Sequence, residues 1–564
     1  MSRAEVGRNE LATWTAARPT SYFDESGNLA SVLATHAGAG RAAAMSPMLT
    51  SFGETVARVV EPAVVTLERH RDLPALVAYD AIGRVREGIE FHPAYEVAGR
   101  AILGSGLLEV NRGGQGSFEQ AALFYLLSHV GEGGHACPAV CTAGLARAVE
   151  RRGPDELRDR YLDGLFSTDY DQCLRGSQFL TEVHGGSDVG ANAAVAIPDR
   201  AEPDAWRISG EKWFCSVADA DLFAVTARPE GAAGGTRGLG CFLVPRSLDG
   251  VVPNGFRIRR LKDKLGTRCM ASAEIDFDDA LSWPIGAVEE GFHTAVEELL
   301  NASRWLNAVG STGIMRRAYL EASSFARHRR AFGGPIGEIP IVRSQLASMK
   351  VDEHAALSST LVLTELLDAI DSGAATDEQI AAHRILVNAN KYVTSITATD
   401  VVHRGIELLG GNGTIEDFSA LPRLYRDAIV YESWEGTHNV LSAQVQRDLG
   451  RRGMLDSFAA WLRGQLAGAP GDPGRAAAAA LDGLEPALRA TVDDPVRGAF
   501  AFRSHLERVV AVVQAAALLR EAEVDATGAK GAVAEAFVRS RLDGRAWHET
   551  DARDVDAIVG GDLG

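Results

Sequence analysis

Residues 406–449 read IELLGGNGTIEDFSALPRLYRDAIVYESWEGTHNVLSAQVQRDL, and this stretch decides the fold. Three features are spaced along it: the glycine-rich turn LGGNG at 409–413, the pair Arg426 and Asp427, and the run WEGTHN at 434–439. Inside the last run, Glu435 stands between a tryptophan and a glycine. A glutamate in such a place often does no more than stabilise the N-terminus of a helix. The rest of the chain must therefore decide whether Glu435 carries chemistry.

The composition is that of a globular protein with several packed units. A chain of 564 residues exceeds what one hydrophobic core usually serves. Apolar residues make up 46% and charged residues 23%, which excludes a disordered chain. The net charge of −18 disfavours a nucleic-acid partner, because affinity for phosphate backbones comes from clustered Lys and Arg. Neither a signal sequence nor a membrane span is visible, so we expect a cytoplasmic protein.

Several common site patterns are missing from the sequence. There is no GxxxxGK[ST] phosphate loop, and Ser187 in GGSDVG lacks the spacing of a GxSxG nucleophile. Acidic and histidine residues form no DxDxDG or HExxH pattern, and the six cysteines form no CxxC pair. P-loop enzymes and serine hydrolases are therefore disfavoured, and no metal site is expected.

Four segments of the chain differ in their hydrophobic pattern. They are a helical domain at 1–165, a β-rich domain at 166–288, a helical bundle at 289–447 and a helical extension at 448–564. Short apolar runs at 222–226, 241–244 and 273–277 predict strands in the second segment. A helical period over 293–330, 341–371, 377–409 and 425–447 predicts the bundle. We therefore expect an α+β fold, with GAPGDPG at 468–474 as a linker ahead of the extension.

Three further motifs precede the stretch at 406–449. FLTEVHGGSDVGAN at 179–192 places Thr181 and Ser187 on a glycine-rich turn, although such turns are common for local reasons. GEKWFCS from Gly210 carries Phe214 and Ser216 on a strand, where an aromatic side chain is usually core. RLKDKLGTRC from Arg260 is followed by ARHRRAFGGPIGEIP, which contains Arg329 and Phe332. An arginine there could grip phosphate oxygens with its planar fork or simply cap helix carbonyls.

Together these motifs resemble the acyl-CoA dehydrogenase superfamily, over about residues 75–447. The resemblance implies an amino-terminal helical domain, a middle β-domain and a carboxy-terminal four-helix bundle, with FAD as cofactor. It assigns flavin contacts to residues of all four motifs: Thr181, Ser187, Phe214, Ser216, Arg329, Phe332, Gly410, Gly411, Gly413, Trp434, Thr437 and Asn439. The arginine and the glycines would reach the FAD of a neighbouring subunit, which implies a homo-oligomer, usually a tetramer. Glu407 departs from the pattern, because many members have glutamine there.

The same resemblance makes Glu435 the catalytic base. It would remove the proton α to a thioester carbonyl while the β-hydrogen leaves as hydride to flavin N5, and burial beside the flavin would raise the pKa of its carboxyl. Ser187, Arg304 and Gly436 are implied substrate contacts. Some branches place the base just before the arginine, but that position is Ser303 here. Nitroalkane-oxidising relatives use aspartate as the base, so Glu435 argues against that chemistry.

Two regions resemble the AidB-like branch of the superfamily: LPALVAYDAIGRVREGIEFHPAY at 73–95 and the carboxy-terminal extension. That branch is associated with the alkylation response and with DNA binding, yet residues 447–564 hold 15 Lys and Arg against 18 Asp and Glu, a net charge of −3. The main hypothesis is an FAD-dependent dehydrogenase of an acyl thioester or a related substrate, with electron-transfer flavoprotein or oxygen as acceptor. An AidB-type DNA-protecting flavoprotein and a catalytically silent flavin scaffold are the alternatives.

Overall fold

The structure is a computed structural model that describes residues 2–24, 27–248, 250, 252–544, 547 and 552–563. The chain divides into two units. One consists of Met1–Ala57, Ala121–Gly131 and Asn307–Gly564, and the other of Arg58–Gln120 and Glu132–Leu306. The first helices belong to the same unit as most of the bundle. Within the described ranges, no helix is long and apolar enough to cross a membrane.

The amino-terminal part is mainly helical. Its helices are α1 (Arg3–Ala16), α2 (Asn28–His36), α3 (Ala39–Thr55), α4 (Glu61–Leu67), α5 (Ala94–Leu103), α6 (Ser117–Leu127), α7 (Ala136–Arg152) and α8 (Asp155–Leu165). A hairpin of β1 (Ala75–Tyr79) and β2 (Val85–Glu90), which the sequence reading did not foresee, lies among them. The Asp80 carboxylate closes its turn by accepting hydrogen bonds from the backbone N–H groups of Ile82 and Arg84, at 2.9 and 2.8 Å. Local side-chain chemistry thus favours a turn there over a helix.

The middle of the chain forms a closed ring of strands. Its strands are β3 (Gly176–Phe179), β4 (Val195–Pro198), β5 (Trp206–Ser216), β6 (Leu222–Pro229), β7 (Gly240–Pro245), β8 (Phe256–Leu261) and β9 (Ser272–Pro284). β6, β4, β5, β9 and β7 pair in that order and β7 pairs with β6 again, while β3 and β8 attach to β6 and β9. The three apolar runs lie in β6, β7 and β9, so the predicted β-rich domain is confirmed. β6 and β7 are buried on both faces, because Leu222 and Leu243 pack against Leu145 and Leu157 of α7 and α8.

The helical bundle follows the strands. It contains α9 (Gly291–Thr294), α10 (Asn301–His328), a short hairpin of β10 (Arg330–Ala331) and β11 (Gly334–Pro335), α11 (Pro340–Asp371), α12 (Asp377–Leu409), α13 (Leu421–Ser433) and α14 (His438–Leu449). The predicted helices at 341–371 and 377–409 match α11 and α12 closely. The prediction of one helix over 425–447 is wrong, since α13 ends at Ser433 and α14 begins at His438. The break between them holds Glu435.

The carboxy-terminal extension packs into the same unit as the bundle. Its helices are α15 (Met454–Leu466), α16 (Gly471–Asp493), α17 (Pro495–Gly498), α18 (Phe502–Val524), α19 (Ala529–Arg541) and α20 (Ala552–Leu563). The predicted linker at 468–474 is largely helical, because α16 already begins at Gly471. Asp352 of α11 is buried and accepts Arg404 of α12 and Arg541 of α19, each at 2.6 Å. The extension is therefore anchored to the bundle at this buried carboxylate through Arg541.

Candidate active site

Glu435 lies on a tight turn between two helices. Trp434 has extended backbone, with φ −82° and ψ 167°, and ends α13. Glu435 has φ +56° and Gly436 has φ +101°. A positive φ is unfavourable for a glutamate, costing on the order of 1–3 kcal/mol, and such strain concentrates at functional sites. The chain keeps Glu435 in this conformation only because surrounding contacts enforce it.

A buried lysine holds both ends of this turn. Lys391 of α12 is fully buried, and its Nζ donates to the carbonyl oxygen of Glu432 at 3.1 Å and to that of Gly436 at 3.0 Å. The residue before Glu432 is tied as well, since Asn307 Nδ2 donates to the Tyr431 carbonyl at 3.2 Å. These bonds connect the turn to α10 and α12, the long helices of the bundle.

The side chain of Glu432 is a charged anchor beside the turn. His438 Nε2 lies 2.9 Å from one carboxylate oxygen, and the Thr399 hydroxyl donates to the other. Burial by itself would favour the neutral acid, but the hydrogen bonds from His438 and Thr399 hold the pKa of Glu432 below its ordinary value. Glu432 is therefore ionised and fully engaged, so it is a poor candidate for the base. His438 is thereby hydrogen-bonded as well.

Trp434 presents an unused donor next to Glu435. Its ring packs on Tyr431, with centroids 4.6 Å apart and planes tilted by 34°. Its Nε1 is buried and has no acceptor within the described part of the chain. Buried N–H groups are nearly always hydrogen-bonded in folded proteins, so this one indicates an acceptor on a bound ligand.

The predicted glycine-rich turn at 179–192 is built around a buried ion pair. Glu182 accepts Lys212 Nζ at 2.8 Å, and both side chains are buried. The same carboxylate accepts the backbone N–H groups of Ala193 and Ala194, at 2.6 and 3.1 Å, and thereby closes the loop. Burial opposes ionisation, but the charge of Lys212 outweighs it and lowers the pKa of Glu182. Glu182 thus has a structural role.

Thr181 and Ser187 lie on this loop with different exposure. Thr181 is half-buried, and a Cβ at Gly186 would come within 2.4 Å of its Oγ1, so only glycine leaves the hydroxyl in place. Ser187 is exposed, as is His184. The Thr181 carbonyl accepts the backbone N–H of Trp213 at 2.9 Å, which ties the loop to β5.

A β-bulge turns Phe214 outward. The pairing of β5 with β9 shifts register between Lys212 and Cys215, so Trp213 and Phe214 both leave the regular ladder. Phe214 is 54% exposed while Lys212 and Cys215 point into the ring of strands. Ser216 follows, half-buried, with its Oγ 3.4 Å from that of Ser272. The strand therefore presents an aromatic ring and a hydroxyl side by side.

Phe332 lies at the tip of the β10–β11 hairpin. It has φ +55° and is 99% exposed, and Gly333 beside it has φ +98°. A large apolar side chain is thus held in an unfavourable backbone conformation and exposed. Arg329, at the start of the hairpin, makes a long ion pair of 3.4 Å with Glu10 of α1.

The glycines of LGGNG differ in their roles. Gly410 ends α12 with φ +61°, and a side chain at Gly410 or Gly411 would meet nothing within 4 Å. A Cβ at Gly413 would lie 2.4 Å from the carbonyl oxygen of Ile406, so Gly413 is required for the turn to fold back on α12. Only Gly410 and Gly411 leave open backbone for a ligand. Glu407 is exposed and accepts Gln345 Nε2 at 2.9 Å.

The remaining predicted contacts fall at helix starts. Arg304 is buried in α10, and the preceding Ser303 Oγ accepts Gln178 Nε2 at 2.8 Å. Thr437 caps α14 and is exposed, as is Asn439 in its first turn. Gly436 offers its carbonyl to Lys391. The Ser303 hydroxyl is thus engaged by Gln178, and it is not a carboxylate.

Known protein families match most of the chain. Residues 12–172 match the adaptive response protein AidB N-terminal domain, 177–280 the acyl-CoA dehydrogenase middle domain and 289–450 the acyl-CoA dehydrogenase C-terminal domain. The chain belongs to the acyl-CoA dehydrogenase family. Members are FAD-dependent oxidoreductases, and so is this chain. The predicted family, its AidB-like branch and the cofactor are confirmed.

Individual relatives agree with this membership. The chain is 34% identical over 391 residues to the acyl-CoA dehydrogenase-type protein AidB of Escherichia coli (strain K12), covering 67% of this chain and 70% of that one. It is 34% identical over 330 residues to acyl-CoA dehydrogenase family member 11 of Caenorhabditis elegans, spanning 53% of that protein. The solved structure of C. elegans ACDH-11 in complex with C11-CoA superposes with a TM-score of 0.85 at 26% identity, covering 94% of this chain and 93% of that one.

The residues of this acyl-CoA dehydrogenase family member fit a flavin. Phe214 offers an exposed aromatic face, Trp434 an unused N–H, and Gly410 with Gly411 an open stretch of backbone. Each feature by itself suits part of a flavin cofactor, because an exposed aromatic ring can stack on a flat ring system, an N–H can donate to its carbonyl oxygens and open backbone allows close approach.

Sequence reasoning missed the residues that shape the turn. Two of these residues, Lys391 and Thr399, lie outside every motif of the sequence analysis. Glu432 lies within the stretch 406–449 but was not identified there as a site residue. One signal was available, since only six of the 57 basic residues are lysine and Lys391 stands inside a long helical pattern. A rare lysine in a buried helix is a candidate for a specific contact.

Proposed function

We propose that the protein catalyses α,β-dehydrogenation of an acyl thioester, with Glu435 as the base. The observation that carries this proposal is the strained turn that holds a glutamate between Trp434 and Gly436, in a chain of the acyl-CoA dehydrogenase family. A carboxylate is the group type that this proton transfer requires, and strain at a reacting residue is typical of active sites.

The chemistry divides between the chain and its cofactor. In this proposal the Glu435 carboxylate takes the proton from the carbon α to the thioester carbonyl, and the backbone N–H of Glu435 stabilises charge that develops on the carbonyl oxygen. Bound FAD supplies the acceptor for the hydrogen and electron pair that leave the β-carbon. Ser187, Arg304 and Gly436 are assigned to the substrate.

We assign flavin contacts to Thr181, Ser187, Phe214 and Ser216, and to Trp434, Thr437 and Asn439. Arg329, Phe332, Gly410 and Gly411 are assigned to the FAD of a neighbouring subunit in a homotetramer, for which the full exposure of Phe332 is the supporting observation. Gly413 is assigned to the same FAD, and its lack of a side chain also lets the turn fold back on α12.

The substrate carrier is proposed to be coenzyme A. Support comes from the C. elegans relative, whose structure contains C11-CoA, and the electron acceptor is proposed to be an electron-transfer flavoprotein or oxygen. All six cysteines are free thiols, which supports a reducing compartment such as the cytoplasm.

An AidB-type DNA-binding role receives less support. The relative in E. coli carries the AidB name, but arginines of the extension are paired with acids. Arg463 pairs with Glu485, Arg539 with Asp554 and Arg541 with Asp352. Paired arginines contribute little to phosphate binding, so a salt-dependent DNA affinity is not expected.

Anaerobic reduction of the bound flavin by acyl-CoAs tests the proposal. Undecanoyl-CoA and butyryl-CoA are expected to bleach the 450 nm region of the wild-type spectrum, and Glu435→Gln is expected to slow bleaching by on the order of 10²–10⁴-fold at unchanged FAD content. Glu416→Gln is the control, because that exposed acid on the same sequence stretch pairs only with Arg426 in the described structure. Wild-type bleaching rates in Glu435→Gln would remove Glu435 as the base.

A further inference from the structure

Lys391 spans the catalytic turn from one end to the other. Its ammonium bonds the carbonyl oxygens of Glu432 and Gly436, which lie three residues before and one residue after Glu435. The side chain is fully buried, so its position is set by packing along α12 and not by solvent. A single fixed charge therefore closes a five-residue loop around the base.

We propose that Lys391 is a positioning residue for proton abstraction, acting by holding Glu435 in its left-handed conformation. This inference rests on the proposed function of Glu435. A glutamate released from this constraint returns to negative φ, because the left-handed region is unfavourable for residues with a Cβ. That change would rotate both the carboxylate and the backbone N–H of Glu435 away from the reacting carbons.

The neighbouring contacts agree with a clamp on the backbone. Thr399 lies eight residues after Lys391 on α12, hence on the same face, and donates to the Glu432 side chain. Lys391 therefore holds the main chain of the turn, while Thr399 and His438 hold the side chain at its start. A lysine suits the first task, since its compact ammonium has three donors that can serve two carbonyls on separate residues.

A merely structural lysine would behave differently from a positioning one. If Lys391 only neutralised Glu432 and stabilised the bundle, its loss would lower stability and leave the rate per folded, flavin-loaded molecule unchanged. If it positions Glu435, its loss lowers that rate, and only while Glu435 is present. Measurements of the reduction rate, of stability and of a double-mutant cycle distinguish the two cases.

The experiment compares Lys391→Met with Arg384→Met. Arg384 lies on the same helix and anchors it to Asp448 of α14 at 3.1 Å, so its removal also deletes a partly buried cation without touching the turn. Flavin reduction by undecanoyl-CoA and butyryl-CoA is followed by anaerobic stopped flow, with FAD content and melting temperature measured in parallel.

We expect Lys391→Met to keep its FAD and its apparent affinity for the thioester while the limiting reduction rate falls by about 10²-fold, the loss typical of a misplacement near 1 Å. Arg384→Met should lower stability and leave the rate within about twofold. In a Glu435→Gln background, Lys391→Met should cause no further loss of rate. Retention of the wild-type rate, or full additivity with Glu435→Gln, overturns the proposal.

Hydrogen exchange of the turn provides a readout that needs no turnover. Amides at 434–438 should exchange faster in Lys391→Met than in wild type or Arg384→Met, and unchanged exchange overturns the clamp. Absence of flavin reduction in the wild type, with faster exchange in the variant, would reject the proposed function and retain the clamp. Lys391→Arg keeps the charge but not the compact geometry of the ammonium. If Lys391→Met does not fold, the same measurements are made on Lys391→Arg.

Discussion

Removing the carboxylate of Glu521 should loosen the packing of the extension on the rest of its unit. Glu521 of α18 is fully buried and accepts Lys530 of α19 at 2.6 Å and His36 of α2 at 3.0 Å. Burial by itself raises the pKa of this carboxyl, but the Lys530 charge and the His36 hydrogen bond bring it down from 4.5 to about 2. Two neighbouring helices of the extension and one helix from the amino-terminal part thus meet at one charge.

The size of the effect follows from that pKa. A shift from 4.5 to about 2 corresponds to about 3 kcal/mol of folding free energy at neutral pH, and breaking a buried ion pair costs a similar amount, since a charge is left unpaired. Glu521→Gln should therefore lower the melting temperature by roughly 5 °C, at about 2 °C per kcal/mol for a large unit. Glu523→Gln is the matched control, because that residue is exposed on the same helix.

The pH dependence has a definite sign. The folded pKa of Glu521 lies below its unfolded value, so its contribution is present above about pH 4.5 and is lost as pH falls toward 2. Burial lowers the pKa of His36, but its bonds to Glu365 and Glu521 raise it above 6.5, so that contribution is lost as pH rises through the raised pKa. Differential scanning fluorimetry from about pH 2 to pH 8 measures both. Equal melting temperatures for Glu521→Gln and Glu523→Gln at pH 6 would refute the reasoning.

Two further variants test the flavin contacts. Gly186→Ala places a Cβ 2.4 Å from Thr181 Oγ1 and should lower FAD content and shift the flavin spectrum, whereas Gly234→Ala, where a Cβ meets nothing within 4 Å, should change neither. Trp434→Phe retains an aromatic ring but removes the unused Nε1 donor. The loss of one hydrogen bond should weaken binding of FAD or thioester by about 2–10-fold, at unchanged melting temperature. Unchanged titrations of both ligands would mean that the indole N–H contacts neither.

Most of the architecture was readable from the sequence. Helices α11 and α12 follow a sustained apolar period over more than 30 residues each, and β6, β7 and β9 coincide with short apolar runs between turn residues. Long periodic segments are the most reliable signal in a sequence, because burial of one face determines them. The exceptions are the β1–β2 hairpin, where the Asp80 turn outweighs the wider pattern, and the start of α16, which is helical in spite of its Gly/Pro-rich cluster.

The sequence predicted which residues form the candidate site but not their backbone conformation or exposure. The motifs named Glu435, Thr181 and Phe214, yet nothing in them indicated that Glu435 has a positive φ or that a bulge turns Phe214 outward. The periodicity even predicted an unbroken helix through Glu435. The motif also did not show that Gly413 is required for packing of the turn on Ile406.

The sequence by itself determined the family, the cofactor and which glutamate is the candidate base, because residue type and spacing are local properties that four ordered motifs specify. The tertiary structure decided how that glutamate is held. Lys391 lies 44 positions before Glu435, and its two hydrogen bonds exist only because α12 packs beside the α13–α14 turn. Contacts between distant segments depend on how helices pack, and packing is a property of the whole fold that no short pattern encodes.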